Sequence, residues 1–312
     1  MNIKQIYNLL SFITRTPRPI YVHYGITHRC NLNCKMCKVK EDSFERELSV
    51  TEIELLTEKL AKLGISYISI GGGEPLLRED IIDVVKLFKK NEIRVRILTN
   101  GLLLKEDVIR KLKKVGVEDI SISLDTLNSE KYQYITGKNK LSNVIDSIKL
   151  ASQYFKGILL LNCVVSRLNY QEIFDLLSFA QKYNFLLSII PIENPSAEFK
   201  FRNEDFKPLK KLFGFLSQNK YVFNGVEFLN YSLNYLLGNF QNFPCFAGKL
   251  YFSINPKGEI WVCHKYRTVT ENCEGCMRPC WRQIDLIYSS YSEFLNLGSK
   301  ILNHQIKRLW DR

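Results

Sequence analysis

Hydrophobic residues in the first two thirds of the chain alternate between two periods, one typical of buried strands and the other of amphipathic helices. Short runs rich in Ile, Val, Leu and Tyr are, except for the last, each followed by a segment whose apolar residues recur every three or four positions. This alternation indicates a parallel sheet with helical crossovers, with functional residues at the carboxyl ends of the strands. The predicted strands are IYVHYGI, SYISI, RVRIL, DISISL, GILLLNCVV and FLLSIIPI.

The helix predicted after the first strand is marked at both ends by its sequence. Ser49 and Glu52 have the spacing of a capping box, and Gly64 stands where the helix should end. The expected fold class over residues 18–195 is α/β, as either an open doubly wound sheet or a barrel-like curl, and an N-terminal helical lead over residues 1–17 precedes it.

The alternation of strands and helices ends near Pro195, and the sequence predicts three segments after it. Residues 196–244 form an aromatic helical connector, and residues 245–285 form a small cysteine-rich module of a β-hairpin and helix. Within this module the runs KLYFSIN and EIWVC, joined by PKG, predict the hairpin. Residues 286–312 have the apolar spacing of a C-terminal helix.

Composition and charge narrow the classes of protein. The 312 residues are 46% hydrophobic, and we find neither a signal peptide nor a run of about eighteen apolar residues that would span a membrane. Nine cysteines without an export signal indicate a reducing, cytoplasmic location, where clustered thiols bind metal or do redox work. The net charge of +12 is spread over helices with acidic neighbours, so nucleic acid is not a favoured partner. Packing explains the amphipathic ends of the chain better than peripheral membrane contact does.

The stretch CNLNCKMC is the strongest chemical signal. Cys30, Cys34 and Cys37 follow the first strand, and their loop can surround a cluster and present three thiolates from one side. Three thiolates suit a cubane iron-sulfur cluster in which one iron has no protein ligand. A zinc ion would need a fourth ligand, such as His23 or His28, and the spacing lacks the paired arrangement of structural zinc, so zinc ranks second.

The segment THRCNLNCKMC resembles the cluster loop of the radical S-adenosylmethionine (SAM) enzymes. The resemblance implies a partial (β/α)6 TIM-like barrel for residues 18–195. It also implies that the three cysteines hold three irons of a [4Fe-4S] cluster and that SAM chelates the fourth. Reductive cleavage of SAM then produces a 5'-deoxyadenosyl radical, with the electron supplied by an external one-electron donor of the flavodoxin or ferredoxin type. Met36, between two of the cysteines, is expected to help cover the cluster.

A second match follows the next strand, in YISIGGGEPLL. Glycines let a backbone approach a ligand closely, and Glu74 places a carboxylate where an ammonium group could pair with it. In the family a Gly-Gly-Glu segment at this strand end holds the methionyl amine of SAM. The resemblance assigns that role to Gly72, Gly73 and Glu74.

Polar residues also stand at the ends of the third, fourth and fifth strands. The resemblance assigns contacts with the ribose and methionyl parts of SAM to these ends. Turn capping explains each residue alone at least as well, but the ordered series favours a functional role for Asn100, Ser123 and Asp125. The candidates are Asn100, next to Thr99, then Ser123 and Asp125, and finally Asn162.

The methionyl carboxylate of SAM should also have a basic partner. Lys138 and Arg167 are both candidates, and the sequence does not choose between them. Cys163 is alone in an apolar strand and is expected to be a buried small hydrophobic residue. The sequence identifies no catalytic residue.

Five further cysteines occur near the C-terminus. Their pattern resembles the SPASM and shorter twitch extensions of radical SAM enzymes, which carry auxiliary [4Fe-4S] clusters. Full SPASM extensions use seven cysteines for two clusters, so five imply one auxiliary cluster, with structural zinc as the alternative. We expect Cys245 and Cys263 to be ligands, with two of Cys273, Cys276 and Cys280, and His264 to be no ligand.

The function expected from these features is that of a radical SAM oxidoreductase or transferase. Its radical would take hydrogen from a substrate in small-molecule, cofactor or lipid biosynthesis or modification. A peptide maturase is the alternative, and it is weakened because only about eighteen residues precede the first strand, too few for a peptide-binding domain. A zinc-stabilised nucleic-acid-binding protein is the rival from another class.

Overall fold

A computed structural model describes residues 17–37, 39, 46–193, 195–240, 244–263 and 279–310, and within the last range the side chains of 283–308. The helical lead predicted over residues 1–17 lies outside the described residues except for its last position. His264, Cys273 and Cys276 also lie outside them, as does the side chain of Cys280.

The described part contains eight strands and ten α-helices, with short 3-10 turns between some of them. No helix in this part is both long enough and apolar enough to cross a membrane. The strands are β1 (Tyr21–Thr27), β2 (Tyr67–Gly72), β3 (Arg94–Thr99), β4 (Asp119–Ser123), β5 (Ile158–Val165), β6 (Leu186–Pro191), β7 (Tyr251–Ile254) and β8 (Ile260–Trp261). The helices are α1 (Val50–Lys62), α2 (Ile81–Lys90), α3 (Glu106–Lys114), α4 (Ser129–Thr136), α5 (Leu141–Tyr154), α6 (Ile173–Lys182), α7 (Phe206–Gln218), α8 (Val226–Leu236), α9 (Pro279–Ser289) and α10 (Tyr291–Trp310).

The strands form one mostly parallel sheet in the order β6-β5-β4-β3-β2-β1-β7-β8. In β1 and β2, Tyr21 lies opposite Tyr67, and in β2 and β3, Ile68 lies opposite Val95. All six strands predicted from the hydrophobic pattern are present, with helices between them. The predicted α/β class, a partial TIM-like barrel, is therefore confirmed.

The predicted capping box at the start of α1 is also confirmed. The Ser49 hydroxyl accepts a hydrogen bond from the Glu52 amide at 3.3 Å, and the Glu52 carboxylate accepts one from the Ser49 amide at 2.9 Å. Gly64, just beyond the helix, has a φ of 91°, which lets the chain turn into β2.

The C-terminal hairpin is present as β7 and β8, which pair antiparallel. Its turn places Gly258 at a φ of 84°, a conformation that favours glycine. The sequence did not predict where the hairpin attaches. β7 pairs in parallel with β1, with Ile254 opposite Tyr24, so the hairpin extends the sheet at the edge of the first strand.

The chain divides into two compact units. Among the described residues the first unit comprises 17–31, 37–121 and 246–263, and the second comprises 32–36, 122–245 and 279–310 apart from the gaps given above. The core of the first unit lies between its strands and helices. It includes Tyr24, Ile68, Val95, Ile53 and Phe88, which are all fully buried.

In the second unit, apolar packing and buried polar contacts hold helix α10. Ile158, Leu160, Leu186 and Phe223 form a buried cluster, against which Leu297 and Ile301 of α10 pack. The Lys300 ammonium donates to the Asn224 carbonyl at 2.8 Å, and the Arg308 guanidinium donates to the Asn184 carbonyl at 3.0 Å. One face of this C-terminal helix is thus fixed to the unit.

Candidate functional site

The cysteine loop leaves the carboxyl end of β1, as expected. Cys30, Cys34 and Cys37 form no disulfide, and the first two are partly buried while the third is exposed. No group of three or more His, Cys, Asp or Glu side chains among the described residues is arranged to hold a single metal ion.

Glu47 fastens the first part of this loop through a set of ion pairs. It accepts two hydrogen bonds from the Arg29 guanidinium, at 2.9 and 3.0 Å, and another from the Thr27 hydroxyl. Arg78, whose side chain is almost fully buried, donates to Glu47 at 3.3 Å and pairs with Asp80 at 2.7 Å. Burial opposes ionisation of Glu47, but the hydrogen bonds from Arg29 and Thr27 outweigh it and lower the pKa of this carboxyl. Sequence reasoning missed this network.

Gly72 and Gly73 let the end of β2 approach the cysteine loop closely. The Gly73 amide donates to the Thr27 carbonyl at 2.6 Å, and the Glu74 amide donates to the Arg29 carbonyl at 2.8 Å. A Cβ atom on Gly73 would lie 2.1 Å from the Arg29 carbonyl oxygen, and one on Gly72 would lie 2.4 Å from that of Thr27. Gly72 also has a φ of 109°. Both glycines are therefore required by a contact of the chain with itself.

Glu74 is fully buried at the ends of β2 and β3. Its carboxylate accepts hydrogen bonds from the Thr99 hydroxyl at 2.8 Å, the Asn100 amide at 2.8 Å and the Leu76 amide at 3.1 Å. Burial raises the pKa of Glu74 to about 7, and the three hydrogen bonds oppose this rise. The carboxylate joins two adjacent strand ends and holds the backbone at Asn100.

The side chain of Asn100 extends from this junction to the cysteine loop. Its amide nitrogen donates to the Asn31 side-chain oxygen at 2.7 Å and lies 3.9 Å from the Cys30 sulfur. Its side-chain oxygen accepts a hydrogen bond from the Leu102 amide at 3.0 Å, which fixes the orientation of the group. A donor at a ligating sulfur stabilises the thiolate and tunes the potential of an iron-sulfur cluster.

In the second unit, the end of α4 supports the middle of the cysteine loop. The Asn33 amide donates to the Thr136 carbonyl, and the Lys35 amide donates to the Ile135 carbonyl, both at 2.9 Å. Gly137 follows with a φ of 74°, and a Cβ atom on it would lie 3.1 Å from the Asn33 carbonyl oxygen. The hydrophobic pattern did not predict α4.

Two residues that flank α4 could have identified it. The Asn128 side chain caps its first turn by accepting from the Lys131 amide at 3.0 Å, and Gly137 ends it in the left-handed conformation. Met36 of the cysteine loop packs against the buried cluster of Ile135, Ile192 and Phe199. Met36 thus has a packing role, and its part in covering the cluster stays a prediction.

The remaining predicted SAM contacts lie in the second unit. Asp125 is half-buried and accepts from the Val164 amide at 2.8 Å, while burial raises its pKa to about 6. Ser123 is exposed. Asn162 is half-buried, and its backbone carbonyl accepts from the Leu124 amide at 2.9 Å. These side chains retain polar surface for a ligand.

The structure treats the two basic candidates differently. Arg167 donates to Glu204 at 2.7 Å and to Asp205 at 2.9 Å, so two carboxylates already balance its charge. Lys138 is exposed. Cys163 is fully buried, which confirms the prediction of a small hydrophobic residue.

Only two of the five late cysteines have described side chains. Cys245 is exposed, and Cys263, just after β8, is buried. These two positions remain predicted ligands of the auxiliary cluster, together with two of the three cysteines that follow.

Sequence comparison gives matches to a known superfamily and its members. Residues 24–180 match the radical SAM superfamily. A probable GTP 3',8-cyclase from Pyrococcus abyssi is 35% identical over 204 residues, covering 64% of this chain and 66% of the relative. A GTP 3',8-cyclase from Lactiplantibacillus plantarum is 33% identical over 216 residues, covering 66% of this chain and 64% of the relative. The chain thus spans slightly less than two thirds of the length of these relatives.

Solved structures resemble the fold at low sequence identity. SuiB from Streptococcus suis, bound to S-adenosylmethionine, aligns over 96% of this chain and 72% of its own, with a TM-score of 0.65 and 16% identity. The enzyme anSMEcpe, with bound AdoMet and the Kp18Cys peptide, aligns over 91% of this chain and 84% of its own, with a TM-score of 0.62 and 18% identity. At this identity the similarity establishes the fold alone.

Proposed function

Because this chain belongs to the radical SAM superfamily, we propose that it catalyses a radical reaction on a small molecule, with GTP as the first substrate to test. Membership confirms the predicted enzyme class and the predicted cofactors of that class, a [4Fe-4S] cluster and S-adenosylmethionine. When bound, they supply a 5'-deoxyadenosyl radical that takes hydrogen from an unactivated C–H bond. The protein supplies position and exclusion of water.

The proposed ligands of this cluster are Cys30, Cys34 and Cys37. Their chemistry fits the cluster, because all three are cysteines outside any disulfide and lie on one short loop whose backbone is held by hydrogen bonds. The donor on Asn100 beside Cys30 is a further feature that suits a thiolate. The electron is proposed to come from an external flavodoxin or ferredoxin.

The proposed SAM contacts divide into two groups. Gly72, Gly73 and Glu74 would offer the backbone and carboxylate of a turn that is already rigid, whereas Asn100 would add a side-chain amide. Contacts with the ribose and methionyl parts are proposed for Ser123, Asp125 and Asn162. Lys138 is preferred over Arg167 as the partner of the methionyl carboxylate, because Arg167 is held by two carboxylates.

One auxiliary [4Fe-4S] cluster is proposed in the C-terminal module. Cys245 and Cys263 would be two of its ligands, and two of Cys273, Cys276 and Cys280 would complete the four. Iron analysis after anaerobic reconstitution tests both clusters. Wild type should hold about eight irons, and the triple variant Cys30/Cys34/Cys37→Ala should keep about four.

The observation that favours GTP is the identity of the sequence relatives. Those reported above, at 33% and 35% identity, are named as GTP 3',8-cyclases or probable ones. The match leaves about a third of each relative uncovered, and this is why GTP is a proposal for this chain. Lipid and peptide substrates are the alternatives that the test must separate.

The reconstituted enzyme should be incubated anaerobically with SAM, a reductant and GTP. Expected are 5'-deoxyadenosine and a matching loss of GTP, both abolished in Cys34→Ala. If 5'-deoxyadenosine forms without loss of GTP, the substrate proposal is wrong while the enzyme class stands. A comparison of metabolite and peptide masses between wild-type and Cys34→Ala strains would then identify the substrate. SAM cleavage that persists unchanged in the triple variant would overturn the assignment of the three cysteines.

A further inference from the structure

Helix α10 carries an exposed apolar stripe along most of its length. Tyr291, Leu295, Leu302 and Ile306 are 53%, 67%, 57% and 43% exposed. With 3.6 residues per turn, these four side chains and Gly298 fall within a sector about 80° wide. Scattered apolar residues on a surface need no explanation, but a continuous row of them marks an interaction surface.

The opposite face of α10 is already engaged within the second unit, so the helix does not roll to bury the stripe. Glu293 is buried and accepts from the Phe228 amide at 3.3 Å. Lys300 and Arg308 are buried and donate to backbone carbonyls of the same unit. Moving any of these side chains outward would leave buried polar groups without partners.

The exposed face around the stripe carries no charge over most of its length. Between Tyr291 and Ile306 the charged side chains of α10, with histidine counted as neutral, are Glu293 and Lys300, and both are buried. A helix that lies on a membrane has a polar face rich in Lys and Arg beside its apolar one, which is not the case here. A protein surface without like-charge repulsion is the better partner.

The stripe has two-fold symmetry in its sequence. Its centre falls between Gly298 and Ser299, two small residues, and Leu295 and Leu302 are equally distant from that centre. In an antiparallel pair of such helices, Leu295 of one chain lies opposite Leu302 of the other, and the reverse also holds. The small residues at the centre allow the two helix axes to approach closely.

The outer positions obey the same symmetry. Tyr291 and Ile306 are also equally distant from the centre, so they would face each other at both ends of the pair. A surface that is complementary to itself under a two-fold rotation is what an isologous dimer requires. We propose that α10 pairs antiparallel with the α10 of a second copy of this chain.

The size of the stripe sets the strength of this dimer. Sixteen residues of helix extend over about 24 Å, and a helix is about 10 Å wide, so the footprint of the pair is small. Stable interfaces bury about 800 Å² per partner, more than this footprint, so the helix pair by itself predicts a weak dimer that forms as concentration rises.

Paired charge substitutions test the proposed register. Leu295→Glu and Leu302→Lys should each raise the dissociation constant of the dimer by roughly tenfold or more, because each buries an unpaired charge. The double variant should recover most of the loss, since each Glu would face the Lys of the other chain. Leu55→Glu, at a 56% exposed position of α1, should change nothing.

The measurement is sedimentation velocity of the reconstituted holoenzyme over a wide concentration range, under anaerobic reducing conditions that exclude disulfides. Melting curves confirm that each variant is folded. A wild type that stays monomeric at all concentrations overturns the proposal, as does a double variant no better than the single ones. If the wild type is a monomer and Leu295→Glu lowers its melting temperature, another part of the same chain covers the stripe. If the wild type is a monomer that binds anionic vesicles, the stripe contacts a membrane. Either result also overturns the proposed dimer.

Discussion

The Thr99 hydroxyl donates a hydrogen bond to the buried Glu74 carboxylate at 2.8 Å, and this contact joins the ends of two adjacent strands. The other carboxylate oxygen accepts from the Asn100 amide at 2.8 Å. The side chain of Asn100 in turn lies 3.9 Å from the Cys30 sulfur. The sheet is thus connected to the first cysteine of the loop through polar contacts that are buried or partly buried.

Removal of the Thr99 hydroxyl should weaken this connection. Thr99→Val leaves one hydrogen bond to a buried carboxylate unmade, so we expect the free energy of unfolding to fall by about 1–3 kcal/mol, measured in urea. The electron paramagnetic resonance spectrum or reduction potential of the reduced cluster should also shift, because Asn100 is less firmly held.

The matched control for this change is Thr57→Val. The Thr57 hydroxyl is also buried and donates to the Ile53 carbonyl at 2.7 Å, but it lies within α1. Thr57→Val should lower the free energy of unfolding and leave the spectrum of the cluster unchanged. Identical spectra for both variants would contradict the connection described above.

The raised pKa of Glu74 predicts how stability depends on pH. The carboxyl group titrates near 4.5 in the unfolded chain and at about 7 when folded, so between these values the native state holds the proton more tightly. The contribution of Glu74 to stability is present below pH 4.5 and is lost as pH rises towards 7, by on the order of 3 kcal/mol.

Glu74→Gln removes this titration and supplies the test. Gln loses one acceptor at every pH, so the variant should be less stable at pH 5. The difference in the free energy of unfolding between variant and wild type should then become smaller as pH rises to 8. Urea denaturation at a series of pH values measures this difference. Curves that stay parallel over this range would show that the folded pKa of Glu74 is not raised.

Gly73→Ala should displace the cysteine loop. The new methyl group would collide with the Arg29 carbonyl, which is backbone and has little room to move. We expect low iron content after reconstitution and weak absorbance near 400 nm, together with a lower melting temperature. In Gly214→Ala a Cβ atom meets nothing within 4 Å, and the change should stabilise α7 by about 0.5–1 kcal/mol with full iron content. Full iron content in Gly73→Ala would refute the close contact.

Glu47→Gln should loosen the same loop through its ion pairs. The variant leaves the nearly buried Arg78 with one carboxylate partner in place of two and weakens the pairing of Arg29. We expect a loss of about 1–3 kcal/mol in the free energy of unfolding and faster loss of iron to a chelator. Glu54→Gln, which disrupts an exposed pair with Lys90 at 3.7 Å, is the matched control and should have almost no effect. Equal rates of iron loss in the two variants would count against this role of Glu47.

The sequence by itself determined the elements of this protein and its chemical class. Strand and helix periods, the Ser49–Glu52 capping box and the closely spaced Cys30, Cys34 and Cys37 are local features. The periodicity of apolar residues and the capping motifs involve residues only a few positions apart, so the sequence alone shows them. The helix from Tyr291 to Trp310 was predicted for the same reason.

Only the tertiary structure decided which of those elements contact one another. The parallel pairing of β7 with β1, the contact of Gly73 with Arg29 and the ion pairs of Arg167 each join segments far apart in the chain. Gly73 illustrates the difference, because its sequence suggested an approach to a ligand and the structure shows an approach to the chain's own backbone. Such contacts depend on how strands and loops are brought together in space, and no local period or motif encodes that arrangement.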